Sequence, residues 1–257
     1  MKPRTLILRT AGTNCDGETA HAFELAGSDV ERVHLNRLLE NPAMLHDYQI
    51  LAIAGGFSYG DDIAAGKILA NQIAHHLREP LRKFVDAEKP VIGICNGFQV
   101  LVKTDLLPGN LAGEAGQTAT LTHNDCGRFV CEWVKLRAVG HKCIWTAGLG
   151  ETELPIAHGE GKFLPKNDAV LNALRENDQI ALVYAENNPN GSTADIAGVC
   201  DDTGLVFGLM PHPERHVSAL QHPAWTSRGG SEGEGPGLTI FRNAVKYATQ
   251  GVATGFG

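Results

Sequence analysis

The sequence predicts an α/β fold: a mostly parallel, mixed central sheet with helices on both faces. Three observations carry this. Short uncharged runs such as LAIA (Leu51–Ala54) and VIGI (Val91–Ile94) suit strands covered on both faces. These runs alternate with helical patterns, the signature of βαβ units. The stretch Thr118–Leu136 alternates polar and apolar residues as antiparallel strands do, which makes the sheet mixed.

In chain order, Thr5–Arg9 (TLILR) reads as a strand, and Asp16–Ala26 follows as a helix that Gly27 stops. Val30–His34 is a weaker strand. Gln49–Ala54 is a buried strand running into Gly55-Gly56. Over Asp62–Glu79, Leu69, Ile73 and Leu77 recur four apart, which predicts an amphipathic helix that Pro80 restarts or kinks. Val91–Cys95 is a strand entering a helix over Gly97–Lys103. Further strands are expected at Ile156–His158, Ile180–Ala185, Ile196–Cys200 and Leu205–Met210, with a closing helix over Leu238–Thr249. Ser218–Gly237, rich in Gly, Pro and Ser, reads as a long surface loop. No repeat or linker divides the chain, so one domain is expected over 1–257.

Composition narrows the function classes. The 257 residues carry 22 Lys and Arg against 29 Asp and Glu, a net charge of −7 that argues against a nucleic-acid surface. An apolar share of 43% and a charged share of 20% suit a globular protein with a real core. No run approaches the roughly 18 apolar residues of a membrane helix, and MKPRTLILRT does not read as a signal peptide. Six cysteines without a CxxC pair suggest reduced thiols and a cytoplasmic protein.

Gly93-Ile94-Cys95-Asn96-Gly97 has the spacing of a G-x-S-x-G nucleophile elbow, with Cys in the Ser position, between a predicted strand and helix. A sharp strand-to-helix turn needs small neighbours, and a helix N-terminus favours thiolate, the reactive form. The Asn96 N–H then points at the oxygen of a tetrahedral intermediate. The bland alternative is a buried Cys among packing glycines, the reading given to the other five cysteines. A nucleophilic Cys needs a base, and the base an orienter. His212, in MPHPE (Met210–Glu214), follows a predicted strand between two prolines, and Glu214 can hold its imidazole. His212 and His216 are four apart, but Pro213 disfavours a shared helix, so no metal pair is expected. Ala54-Gly55-Gly56, at another strand end, would supply a second oxyanion N–H from Gly56. Strand C-termini gather at one edge of an open α/β sheet, where ligands bind.

With GICNGFQ (Gly93–Gln99), MPHPE and GGFSYGD (Gly55–Asp61), the chain resembles the class I (triad) glutamine amidotransferases. GTNCD (Gly12–Asp16), NDCGRF (Asn124–Phe129) and IAHGEGKF (Ile156–Phe163) extend the likeness towards members that serve purine biosynthesis. The resemblance implies a flavodoxin-like fold and hydrolysis of L-glutamine. The ammonia would pass to a separate synthetase subunit that aminates formylglycinamide ribonucleotide with ATP and magnesium, bridged by a small accessory subunit. No cofactor is implied on this chain, which lacks a GxxxxGK[ST] loop. By the same likeness Cys95 is the nucleophile, His212 the acid/base, Glu214 its orienter, and Gly56 and Asn96 the oxyanion donors. Gln99, one turn beyond Cys95, would touch glutamine, and Asn124, Arg128 and Phe129 would hold its amino-acid end.

Two features depart from the pattern. Ala54 stands where a proline usually precedes the paired glycines, and the Ser218–Gly237 loop is long. That loop is open to reading as a lid, a docking surface or a neutral insertion. Asn14 and Asp16 read either as helix caps or as participants in ammonia transfer. A stand-alone γ-glutamyl hydrolase and an inactive regulatory subunit are the competing functions.

Overall fold

The computed structural model describes residues 2–114, 116–228 and 232–254. Its first half is a run of strand–helix units: β1 (Arg4–Arg9), α1 (Asp16–Leu25), β2 (Asp29–His34), α2 (Leu35–Glu40), β3 (Ile50–Ile53), α3 (Lys67–Gln72), α4 (Arg78–Asp86), β4 (Val91–Ile94) and α5 (Asn96–Lys103). The second half adds β5 (Ala119–Thr122), β6 (Val130–Ala138), β7 (Glu151–His158), β8 (Lys162–Pro165), α6 (Asp168–Glu176), β9 (Ile180–Tyr184), β10 (Ile196–Cys200), β11 (Val206–Leu209) and α7 (Gly237–Thr254).

Nine strands form one sheet in the order β2-β1-β3-β4-β11-β10-β9-β6-β7. The pairs from β2 to β11 are parallel, and those from β11 to β7 are antiparallel. The sheet is therefore mixed, as Thr118–Leu136 suggested, although β5 leaves it to pair with β8. The wholly buried strands β3, β4, β10 and β11 are the uncharged runs, because both faces of the central sheet are covered. Pro155 lies in β7, an edge strand, where a missing ladder donor is tolerated. Phe23 of α1 meets Phe241 of α7 edge to face at 4.9 Å, joining two helices into the same core. No helix among the described residues is long and apolar enough to cross a membrane.

Several boundaries differ from the sequence reading. The helix expected over Asp62–Glu79 begins only at Lys67, because Asp61 (φ 54°) and Gly66 (φ 71°) put left-handed turns before it. A π turn over Ile73–Leu77 separates α3 from α4, so the break precedes Pro80. Pro80 itself sits in the first turn of α4, where a missing N–H costs nothing. Strand β8 and helix α6 were not anticipated. Asp16 is not a cap: α1 starts after Cys15 without a side-chain cap, and Asp16 instead pairs with Arg9 and Arg32.

Candidate active site

The loops after β1, β3, β4 and β11 leave the sheet at neighbouring positions, since these four parallel strands lie side by side. That is the carboxyl edge at which open α/β sheets bind ligands. Cys95 follows β4 with φ 51° and ψ −104°, a sparsely populated conformation for a residue with a side chain. Its N–H donates to Leu209 O (2.8 Å) of β11, and its carbonyl accepts from Gln99 N (3.1 Å), which fixes the turn between β4 and α5. The glycines on either side are steric necessities. A Cβ on Gly93 would stand 2.6 Å from the Gly97 backbone, and one on Gly97 only 1.9 Å from Ile53 O.

His212 and Glu214 follow β11 and are almost completely buried, at 2% and 1% exposure. His212 N donates to Pro155 O (2.8 Å), and Nδ1 lies 2.6 Å from Glu214 Oε1. The carboxylate can only accept, so Nδ1 carries the proton and Nε2 is left without a hydrogen-bond partner. Burial alone would push this imidazole down. The Glu214 carboxylate and the nearby Cys95 and Cys15 sulfurs outweigh burial and hold it well above its ordinary value. The structure thus brings the predicted thiol, imidazole and carboxyl together, and their order suits a nucleophile, base and orienter.

The Gly55–Gly56 turn is pinned to the loop after β1: Phe57 N donates to Gly12 O (2.9 Å) and Cys15 N to Gly55 O (3.2 Å). Gly56 has φ 143°, and a Cβ there would stand 2.7 Å from Asn14 N. With Cys95, Gln99, Phe129, His158 and Glu160, Gly56 lines a pocket of about 230 Å³. The Asn96 side chain turns inward, accepting from Ser58 N (3.2 Å) and donating to Asp61 Oδ1 (3.3 Å) and Gln99 Oε1 (3.0 Å). Gln99 donates in turn to Glu160 O (2.7 Å). This network ties the elbow helix to the loops that frame the pocket. Burial raises the Asp61 carboxyl against the opposing pull of Gly66 N and Asn96.

Asn124 and Arg128 are not in the lining. Asn124 is buried, and its amide is spent inside the protein: Nδ2 donates to Arg128 O (3.1 Å) and His158 O (2.9 Å), while Oδ1 accepts from Gly161 N (3.0 Å). It braces the pocket wall in place of the expected contact with substrate. Arg128 is exposed, whereas Phe129 faces the pocket, its ring 6.2 Å from that of Phe57. His216 turns away from His212; its Nδ1 donates to Glu153 O (2.7 Å), and its ring packs against Trp133.

Two residues at the site escaped the sequence reading. His158 Nδ1 lies 3.2 Å from Asn124 Oδ1, an acceptor, so this ring also leaves Nε2 unpartnered. Burial, with His212 nearby, pushes its imidazole down to about 4. Cys15, read as an ordinary thiol, lies next to His212, and Arg215 Nη2 donates to its sulfur at 3.1 Å. The available signal was position: GTNCD also follows a strand, and β1 is the neighbour of β3.

Comparisons with known proteins agree with this geometry. The family model described as a CobB/CobQ-like glutamine amidotransferase domain matches residues 2–248. The phosphoribosylformylglycinamidine synthase subunit PurQ of Dehalococcoides mccartyi is 48% identical over 260 residues, covering 97% of this chain and 99% of that protein. The PurQ subunit of Treponema denticola is 48% identical over 241 residues, covering 84% and 89%. Among solved structures, that of PurLQS from Thermotoga maritima matches with a TM-score of 0.75 and 32% identity, over 96% of this chain and 99% of that one. The glutaminase domain of Trypanosoma brucei CTPS with bound acivicin shares the fold, with a TM-score of 0.59 at 15% identity. With thiol, imidazole and carboxyl gathered at the sheet edge and a family match spanning nearly the whole chain, this protein belongs to the CobB/CobQ-like glutamine amidotransferase family.

Proposed function

We propose that this chain is the glutaminase subunit of a phosphoribosylformylglycinamidine synthase, acting as one amidotransferase domain in the cytoplasm. The observation that carries the reading is 48% identity to PurQ subunits over nearly the full length of both chains. It hydrolyses L-glutamine and delivers ammonia to a synthetase subunit, which uses ATP and magnesium to convert formylglycinamide ribonucleotide to formylglycinamidine ribonucleotide. A small accessory subunit completes the complex. Six unpaired cysteines, two of them exposed, suit a reducing compartment.

In this mechanism Cys95 Sγ attacks the side-chain amide carbon of glutamine as His212 Nε2 takes the thiol proton. The backbone N–H groups of Gly56 and Asn96 receive the developing oxyanion. His212 passes its proton to the departing nitrogen, which leaves as ammonia, and a γ-glutamyl thioester remains on Cys95. Water, deprotonated by His212, then attacks the thioester carbonyl. The sulfur leaves, is reprotonated by His212, and glutamate is released. Glu214 holds the ring and stabilises its charged form throughout. In this reading Gln99 and Phe129, which line the pocket, contact the glutamine substrate.

The test is glutamate release by the purified chain as a synthetase subunit is titrated in. Slow release alone and strong stimulation by the synthetase are expected. Rapid release without a partner would favour the γ-glutamyl hydrolase, and no release under any condition would favour a regulatory subunit.

A further inference from the structure

Asp61 lines the same pocket as Cys95, yet the steps of glutamine hydrolysis give its carboxyl no task. Its backbone is also unusual. Tyr59, Gly60, Asp61 and Gly66 have φ of 57°, 75°, 54° and 71°. Left-handed residues that carry side chains are strained and persist where the surrounding structure holds them. Here the turns fold the chain back so that Asp61 Oδ1 accepts from both Gly66 N (3.1 Å) and Asn96 Nδ2 (3.3 Å). Asn96 is 2% exposed, and the rest of its amide is also engaged. Its Oδ1 accepts from Ser58 N (3.2 Å), and Nδ2 donates to Gln99 Oε1 (3.0 Å) as well. The Gln99 Nε2 donates onward to Glu160 O (2.7 Å).

The chemistry of the ends sets the direction of every bond. The Ser58 N–H only donates, while the Glu160 carbonyl and an ionised carboxylate only accept. A flipped Asn96 amide would set its NH₂ against the Ser58 N–H and its oxygen against Asp61, two unmade bonds in a buried place. This network joins the two stretches that carry the oxyanion donors. Asn96 supplies one N–H, and Ser58 lies two residues after Gly56, which supplies the other. On its far side the Gly56 turn is tied to the loop after β1, through Phe57 N and Gly12 O (2.9 Å). We propose that Asp61 is a positioning residue of glutamine hydrolysis: its carboxylate holds the Asn96 side chain against Ser58 N and so fixes the spacing of the Gly56 and Asn96 N–H groups. The role in hydrolysis rests on the reading of those two groups as oxyanion donors. Donors already in place need no rearrangement at the transition state, and a misplacement of about 1 Å costs on the order of 100-fold in rate. In this role Asp61 acts on kcat and leaves KM alone.

The test has two readouts on the full-length chain. The first, hydrogen exchange of the Ser58 amide, needs no turnover. Its protection should fall several-fold in Asp61→Ala and return in Asp61→Asn, whose amide oxygen still accepts from Gly66 and Asn96. The second is steady-state glutamate release in complex with a synthetase subunit, with ammonia-dependent synthesis as the check on assembly. Asp61→Ala should lower kcat by about 10- to 100-fold with KM nearly unchanged. Asp61→Asn should recover most of that loss, and ammonia-dependent synthesis should stay at the wild-type rate in both. Asp61→Gly, which adopts a φ of 54° without strain, gives a second carboxyl deletion should Asp61→Ala misfold. Unchanged Ser58 protection, an unchanged kcat, or a rise in KM with kcat intact would overturn the proposal. A wild-type complex that releases no glutamate contradicts the proposed function alone, because Ser58 exchange still decides whether Asp61 fixes the donor loop.

Discussion

Cys95 occupies a conformation that costs on the order of 1–3 kcal/mol, and the fold maintains it with the bond from its N–H to Leu209 O and the Gln99 bond to its carbonyl. This residue was legible in the sequence because an elbow leaves a pattern of small neighbours. His158 was not, because its role depends on Asn124, 34 residues earlier, fixing its tautomer. The two histidines at the site titrate in opposite directions. His158 is buried with a folded value of about 4, below the ordinary value near 6.5. Its contribution is therefore intact above 6.5 and lost as pH falls towards 4, by about 3 kcal/mol at most. His212, held above its ordinary value, contributes below that value and loses its contribution as pH rises through the folded one. We predict that urea midpoints measured from pH 7 down to 4.5 fall more steeply for wild type than for His158→Gln. Parallel curves would contradict the assignment of a neutral buried His158.

At the scale of elements, the strand–helix order was readable from period and punctuation, and the buried strands matched closely. The misses have physical causes. Lys67 begins α3 late because left-handed turns at Asp61 and Gly66 override the apolar spacing that continues through Ile73. Helix α6 did carry a signal: Asn167 caps it by accepting from Val170 N (2.9 Å), and Val170 and Leu174 lie four apart and buried. Strand β8 has only four residues and is defined by its partner β5, so local pattern says little about it. The close packing of α5 on β3 gives a sharp prediction. Gly97→Ala drives a methyl against Ile53 O and should destabilise the chain by at least the roughly 1–3 kcal/mol of overpacking. Gly150→Ala, where nothing lies within 4 Å of the added Cβ, should leave the urea midpoint nearly unchanged. Equal midpoints for the two variants would show that the elbow tolerates a side chain there.

For the whole molecule, adjacency in the sheet decides what the site contains. Strands β1, β3, β4 and β11 are far apart in sequence yet side by side in space, so their loops deliver Cys15, Gly56, Cys95 and His212 to one edge. The sequence exposed three of these contributors by motif; the fourth needed the strand order. The same order explains the long segment after the site. Ser218 caps the short helix Ala219–Gln221, Arg228 pairs with Glu153, and His222 Nε2 lies 3.4 Å from that carboxylate. The described part of the segment thus packs against β7, the sheet's edge strand, beside a cavity of about 530 Å³. Covering an edge is a structural task that composition alone did not reveal.

The central claim is that Cys95 releases ammonia which another subunit consumes. The direct measurement is product formation by the complex of this chain with its synthetase, comparing wild type with Cys95→Ala and supplying either glutamine or ammonia. Loss of the glutamine-dependent rate by several orders of magnitude, with the ammonia-dependent rate unchanged, is the predicted result. A parallel fall of both rates in a folded variant, or an undiminished rate with glutamine, would contradict it.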